Sequence, residues 1–220
     1  MKRSRSARVP ASRPPRGADT RAAILAAAAG MFARSGLDGA RTEAIASAAG
    51  VNKAMLYYYF QSKDKLYSAV LENHFEDFHR RAIEVLSAKA SAGTVVLRFV
   101  ETHFDFISSH RDYSRLLQRM MMTDLGRGEP LIRKYLAPVS RKLIEVIQAG
   151  QRNGEFRRLD SHHAAISLVA LNVFYFSTAP VMGIIAGVNP YSPANLKRRK
   201  EEVLRFVRHG LFRDPEAAVL

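Results

Sequence analysis

Thr42-Glu43-Ala44-Ile45-Ala46-Ser47-Ala48-Ala49-Gly50-Val51-Asn52-Lys53-Ala54-Met55-Leu56-Tyr57-Tyr58-Tyr59-Phe60-Gln61-Ser62-Lys63 is the stretch that decides the fold. It reads as helix, short glycine turn, helix. Thr42 is the expected cap of a helix over 43–49, with Ile45 and Ala46 inward. Gly50-Val51-Asn52 make the turn, where glycine takes the left-handed backbone at little cost. Ala46 lets the two helices approach, and Val51 and Leu56 fill the space beneath. The second helix, 53–60, buries Leu56 and Phe60 and presents Lys53, Ala54, Met55, Tyr57 and Tyr58 outward. Lys suits a phosphate or a guanine edge, a Tyr hydroxyl suits a phosphate, and the apolar groups suit thymine methyls. The same pattern serves helical hairpins that bind nothing, and Tyr57 to Phe60 also reads as a packed helix. Exposed tyrosines beside Lys53, Lys63 and Lys65 nevertheless favour duplex DNA over an inert surface.

Working outward, Pro and Gly confine the breaks. Residues 1–18 carry Pro10, Pro14, Pro15 and several Arg and Ser, and read as a disordered basic tail. Asp19 or Thr20 is the expected cap of a helix ending at Gly36, and Ser62 of a long helix running to about Ala90. Further helical periods fall at about 94–109, 112–124, 129–152, 161–187 and 195–212, with breaks at 126–128, 153–154 and 189–193. No alternating strand pattern occurs. The fold class is all-α: a three-helix helix-turn-helix head over 19–66, joined by a connecting helix to a larger helical domain over 67–220.

Charge points the same way. The 220 residues hold 34 Lys and Arg against 20 Asp and Glu, a net of +14. Residues 1–17 have six bases and no acid, and 18–66 six bases and four acids, so the first 66 residues carry +8 of that excess. Such an end seeks a polyanion. The chain has no Cys, which excludes disulfides, thiolate zinc sites, iron–sulfur clusters and Cys nucleophiles. His162 and His163 are adjacent and diverge by about 100° on a helix, so they do not chelate one ion. No phosphate-cradling loop or nucleophile turn is present, and neither an enzyme nor a cofactor is expected. The Ala-rich stretch 22–29 starts late and follows Asp19, unlike a secretory signal; the chain is expected to be cytoplasmic.

The pattern Thr42-x-x-Ile45-Ala46-x-x-Ala49-Gly50-Val51, followed by Leu56-Tyr57-Tyr58-Tyr59-Phe60-x-Ser62-Lys63-x-x-Leu66, resembles the TetR family of transcriptional regulators across about residues 19–70. That resemblance implies a ligand-responsive repressor that binds an inverted-repeat, double-stranded DNA operator as a homodimer. It sets Tyr57 and Tyr58 against the DNA backbone, Thr42 and Lys63 against phosphates at helix starts, and Lys53, Ala54 and Met55 at the base-reading positions. Tyr59 stands where family members often have His.

The resemblance also implies an effector pocket and a dimer interface in the C-terminal part, and the sequence offers candidates for both. Phe99, His103, Phe104 and Phe106 share one helix, Leu117, Met120 and Met121 the next, and Phe174, Tyr175 and Phe176 surround Asn172 on an uncharged helix. Of these, His103, Phe104, Met120, Met121, Asn172, Tyr175 and Phe176 are the expected ligand contacts for a small, largely apolar effector. Asn172 and His103 are the expected orienting groups, since a polar group on an apolar helix needs a partner. Arg115 or Arg119 is available to a carboxylate if either points inward. Val203, Leu204, Phe206, Val207 and Leu211 form an apolar stripe expected at the dimer interface. The stretch 164–188 is long enough to span a bilayer, so the alternative reading is a membrane-associated helical protein using that segment and the basic tail.

Overall fold

A computed structural model describes residues 17–216; the basic tail therefore lies almost entirely outside the described residues. Those residues form ten α-helices in order: α1 (Gly17–Gly39), α2 (Thr42–Ala48), α3 (Lys53–Phe60), α4 (Lys63–Leu86), α5 (Ala92–Ser109), α6 (Arg111–Thr123), α7 (Leu125–Leu131), α8 (Ala137–Arg152), α9 (Ser161–Ala186) and α10 (Pro193–Leu211). A π-helical turn, Ile132–Leu136, joins α7 to α8.

The head forms because α1 and the two short helices α2 and α3 each bury one stripe. Ile24, Ala28 and Phe32 of α1, Ile45 and Ala46 of α2, and Leu56 and Phe60 of α3 close on one another with at most 5% exposure. At roughly 1.5–3 kcal/mol for each large side chain buried, this shared core is what holds such short helices together. α1 begins at Gly17, so neither Asp19 nor Thr20 is its cap. Its helical path is interrupted at Gly36, where φ is +70° and ψ −178°. Glycine is required there by conformation; a Cβ would in addition lie 2.6 Å from the Arg119 guanidinium of α6, the end of a flexible side chain.

Local signals place the other ends. Arg41, not Thr42, precedes α2 as its N-cap residue; Thr42 is already helical and buried, and its hydroxyl donates to Glu43 Oε2. α2 closes with Gly50 at φ +68°, with Gly50 N–H bonded to Ser47 O and Val51 N–H to Ala46 O, a Schellman motif. Asn52 then caps α3 by accepting from Met55 N–H at 2.8 Å, and Ser62 caps α4 by accepting from Lys65 N–H at 3.1 Å.

The larger domain packs α5 centrally against α4, α8, α9 and α10. Its C-terminal end is tied down by the Phe156–Phe212 bridge, and the Glu155 carboxylate accepts from Gly93 N–H at the start of α5. The expected break at 126–128 is not there: Gly126, Arg127 and Gly128 are helical in α7 and the chain breaks at Asp124. The irregularity falls further on. Pro138 removes the N–H that an α register would aim at Lys134 O, so the turn widens and Ala137 N–H bonds Ile132 O. α4 holds this turn, since Glu72 accepts from Lys134 Nζ and the Tyr135 hydroxyl, and His79 Nδ1 lies 2.8 Å from Tyr135 O.

Candidate DNA-binding face and effector cavity

α3 presents Lys53, Ala54, Tyr57 and Tyr58 to solvent, with Met55 half-buried beside them. Tyr58 is 77% exposed and Tyr57 38%. So large an aromatic surface beside basic groups is costly to leave bare and suited to a sugar-phosphate wall. Tyr59 is half-buried and stacks edge-on against Tyr58. Lys53 pairs with Glu43 of α2, which raises the ammonium pKa and lowers that of the carboxylate. Glu43 was not picked out in the sequence, because only the α2–α3 turn brings residues ten apart into contact. Lys63, at the first turn of α4, donates to Asp38 O and Ala40 O at 3.3 Å each. Two of its three protons thus fasten α4 to the end of α1, and one remains for another acceptor.

A cavity of about 410 Å³ lies in the larger domain among α4, α5, α6, the π turn, α8 and α9. Of the expected ligand contacts, His103, Met120 and Met121 line it, with Phe99 and Leu117. Phe104, Asn172, Tyr175 and Phe176 do not. Phe104 packs with Phe176 at 5.1 Å and Tyr175 at 6.4 Å, away from the cavity. The Tyr175 hydroxyl donates to Pro190 O and its ring carries the Arg199 guanidinium at 5.0 Å. Asn172 is buried between α9 and α5, where its Nδ2 donates to Val100 O at 3.0 Å. About 100° of helix phase separates His103 from Phe104, and aromatic content alone does not say which face is hollow. Phe78, Ile132, Leu136, Ser140 and Leu143 also line the cavity; only their convergence in space marks them. Arg115 and Arg119 lie in a separate surface groove with Ala33 and Met122, so neither supplies a charge to the cavity.

Burial dominates the titration here. His103 is pushed down to about 4, so its imidazole is neutral at pH 7, and burial also raises the Tyr113 hydroxyl. Two helices carry this cavity to the head. α6 contributes Met120 to the cavity and Arg119 to the Gly36 junction. α4 contributes Phe78 to the cavity and, through the Tyr67 hydroxyl, bonds Asp124 at 3.2 Å. Arg127 of α7 adds an ion pair to Asp64 in the first turn of α4.

The expected interface stripe divides. Val203, Val207 and Leu211 are buried within the chain's own core and Leu204 is half-buried against it; only Phe206 stands out, at 66% exposure. Val203, Val207 and Leu211 lie on the face with which α10 packs on its own chain, and Phe206 points away from that face. On α9, Ile166, Phe174, Val181, Ile184 and Ile185 are exposed as well. α9 is also the one helix among the described residues long and apolar enough to cross a bilayer. Its other face packs on α5, α6 and α8, and the membrane-associated reading finds no support. Among the described residues, no three His, Asp or Glu side chains are placed to hold a metal ion.

Residues 24–70 match the sequence profile of bacterial regulatory proteins, tetR family, and residues 94–207 that of the tetracyclin repressor-like C-terminal domain. The chain is 28% identical to the transcriptional repressor NicS of Pseudomonas putida, over 77% of this chain and 82% of that protein. It is 26% identical to the transcriptional regulator RutR of Escherichia coli, over 86% of this chain and 89% of that one. In fold it is similar to the regulator PfmR from Thermus thermophilus, with a TM-score of 0.69 at 18% identity, covering 85% of this chain and 97% of that one.

Proposed function

The chain belongs to the tetR family of bacterial regulatory proteins, transcriptional regulators rather than enzymes, and we propose that within it this protein is a cytoplasmic, dimeric repressor released from its operator by an apolar effector. The observation that carries the DNA-binding reading is the α3 surface. Lys53, Ala54, Tyr57 and Tyr58 are exposed on a helix set by a Schellman turn, in the third of the chain that carries +8. Ala54 and Met55 face the bases with Lys53, once its ammonium leaves or shares Glu43. Tyr57 and Tyr58 face phosphates, and Thr42 and Lys63 flank them at the starts of α2 and α4. Two such heads related by a two-fold axis read an inverted repeat.

The dimer is built from the exposed faces of α9 and α10, centred on Phe174 and Phe206, in place of the buried 203/207/211 stripe. The effector occupies the 410 Å³ cavity. It acts through α6 and α4, which touch both the cavity and the head. Its leverage is its differential affinity for two head separations; a 100-fold loss of operator affinity needs about 2.7 kcal/mol of coupling.

The test is selection of bound sequences from a random duplex pool by the full chain, followed by anisotropy titrations. An inverted repeat is expected, with affinity falling steeply as salt rises. Tyr57→Ala should weaken binding to all sequences by about 1–2 kcal/mol through one lost phosphate contact, while Met55 substitutions change the preferred sequence. A selection that enriches no motif refutes base reading by α3.

A further inference from the structure

The cavity's hydrogen-bonding groups narrow what it holds, an inference that rests on the effector reading above. Its wall carries no charged side chain; its polar residues are His103, Tyr113 and Ser140. The His103 ring packs against Phe99, stacked at 6.0 Å, and Phe78, tilted at 5.0 Å. Asn172 Nδ2 donates to Val100 O at 3.0 Å and faces His103 Nδ1 at 3.4 Å. The amide orientation follows from the carbonyl: reversed, it would set Oδ1 against Val100 O, acceptor on acceptor. It is held although Oδ1 is left buried without a partner among the described residues. An amide NH₂ has only protons to offer, so His103 Nδ1 meets it as a lone pair. A neutral ring then carries its single proton on Nε2. Burial keeps the ring neutral. The imidazole therefore brings one fixed donor to the cavity.

We propose that the cavity selects an uncharged apolar molecule bearing a carbonyl acceptor, which takes the Nε2–H of His103, and that Asn172 is the positioning residue that sets this tautomer. A carboxylate of the same skeleton is rejected, because it would enter a wall without a cation and lose its hydration unrepaid. A bare hydrocarbon fits but leaves the Nε2–H without an acceptor. Phe78, Phe99 and Tyr113 supply flat surfaces for an aromatic part.

The probes are three ten-carbon compounds, butyrophenone, n-butylbenzene and 4-phenylbutanoate, read by displacement of Nile red from the full chain at pH 7.5. Butyrophenone should displace the dye at a concentration about tenfold below the hydrocarbon, the worth of one hydrogen bond, and further below the carboxylate. His103→Phe keeps an aromatic ring in place without a donor and should remove the ketone's advantage over the hydrocarbon. ¹⁵N-histidine spectra of the wild type should show, for the resonance pair missing in His103→Phe, a bare Nδ1 and a protonated Nε2. Asn172→Leu should mix the two tautomers, a change that loss of packing alone would not produce. Displacement by all three compounds without preference for the ketone overturns this inference and leaves the effector cavity standing. So does a protonated Nδ1. If none displaces the dye, or if displacement is unchanged when Ala165→Trp fills the cavity, the effector reading and this inference fall together. The wild-type ketone-to-carboxylate ratio decides the selectivity even if a variant does not fold.

Discussion

Replacing Gly36 with alanine probes the junction between the head and the cavity domain. At φ +70° and ψ −178° this residue occupies a region essentially confined to glycine. The backbone cost of a Cβ there is about 1–3 kcal/mol. The new atom would also sit 2.6 Å from the Arg119 guanidinium. That is the far end of a flexible side chain, which swings aside for less than the backbone costs. Gly126 is the matched control: it lies in α7, and a Cβ there meets nothing within 4 Å. Gly126→Ala should therefore stabilise by about 0.4–1 kcal/mol, chiefly by restricting the unfolded chain. Urea unfolding of the two variants should move in opposite directions, and Gly36→Ala should lower Tm by about 2–4 °C per kcal/mol for a chain of this size. Adding Arg119→Ala separates the two costs, since it relieves the contact and leaves the backbone strain. Gly36→Ala as stable as the wild type, or restored in full by Arg119→Ala, would refute the assignment of the cost to backbone conformation.

Phe206→Asp should separate the dimer in sedimentation while leaving the helical circular dichroism intact, whereas Val207→Asp, one residue on, should unfold the chain by burying an unpaired charge. Both variants folding as monomers would show that the buried and exposed faces of α10 are misassigned. Leu56→Ala should cost about 2–5 kcal/mol, because this fully buried side chain belongs to the core that holds α3 in the head, and should abolish operator binding by loosening the head. His103 predicts the pH dependence of stability. Its pKa is about 4 in the native chain against 6.5 unfolded, so between these values the unfolded chain binds a proton that the native chain does not. Stability should thus fall as pH drops from 7 to 5, by about 2 kcal/mol from this residue given 1.36 kcal/mol per unit. Burial and the neighbouring His110 shift His74 in the same direction. Urea melts at the two pH values should show the slope, and His103→Phe should reduce it; an unchanged slope would mean that the ring is hydrated in the native state.

The all-α class, the glycine turn and the α3 surface were legible in the sequence because they are local. Helical periodicity, Gly50 in a left-handed turn and Leu56 with Phe60 on one stripe are properties of neighbours within about ten residues. Lys53, Tyr57 and Tyr58 faced outward by the same phase. Even locally, a cap was displaced: Thr42 entered α2 and turned its hydroxyl to Glu43, since Arg41 can occupy the extended position before a helix without using its side chain. Beyond the head, composition named apolar helices and left their faces open. Phe104, Tyr175 and Phe176 are as aromatic as the cavity's own lining, yet they close against one another. The stripe at 203, 207 and 211 reads as an interface until α5 is seen to cover it. Which apolar face meets its own chain, which meets a hollow and which meets solvent depends on helix crossings between segments up to a hundred residues apart. Asn172 and His103 show the division: the sequence marked both as polar groups in need of partners, and only the approach of α9 to Val100 decided that one orients the other.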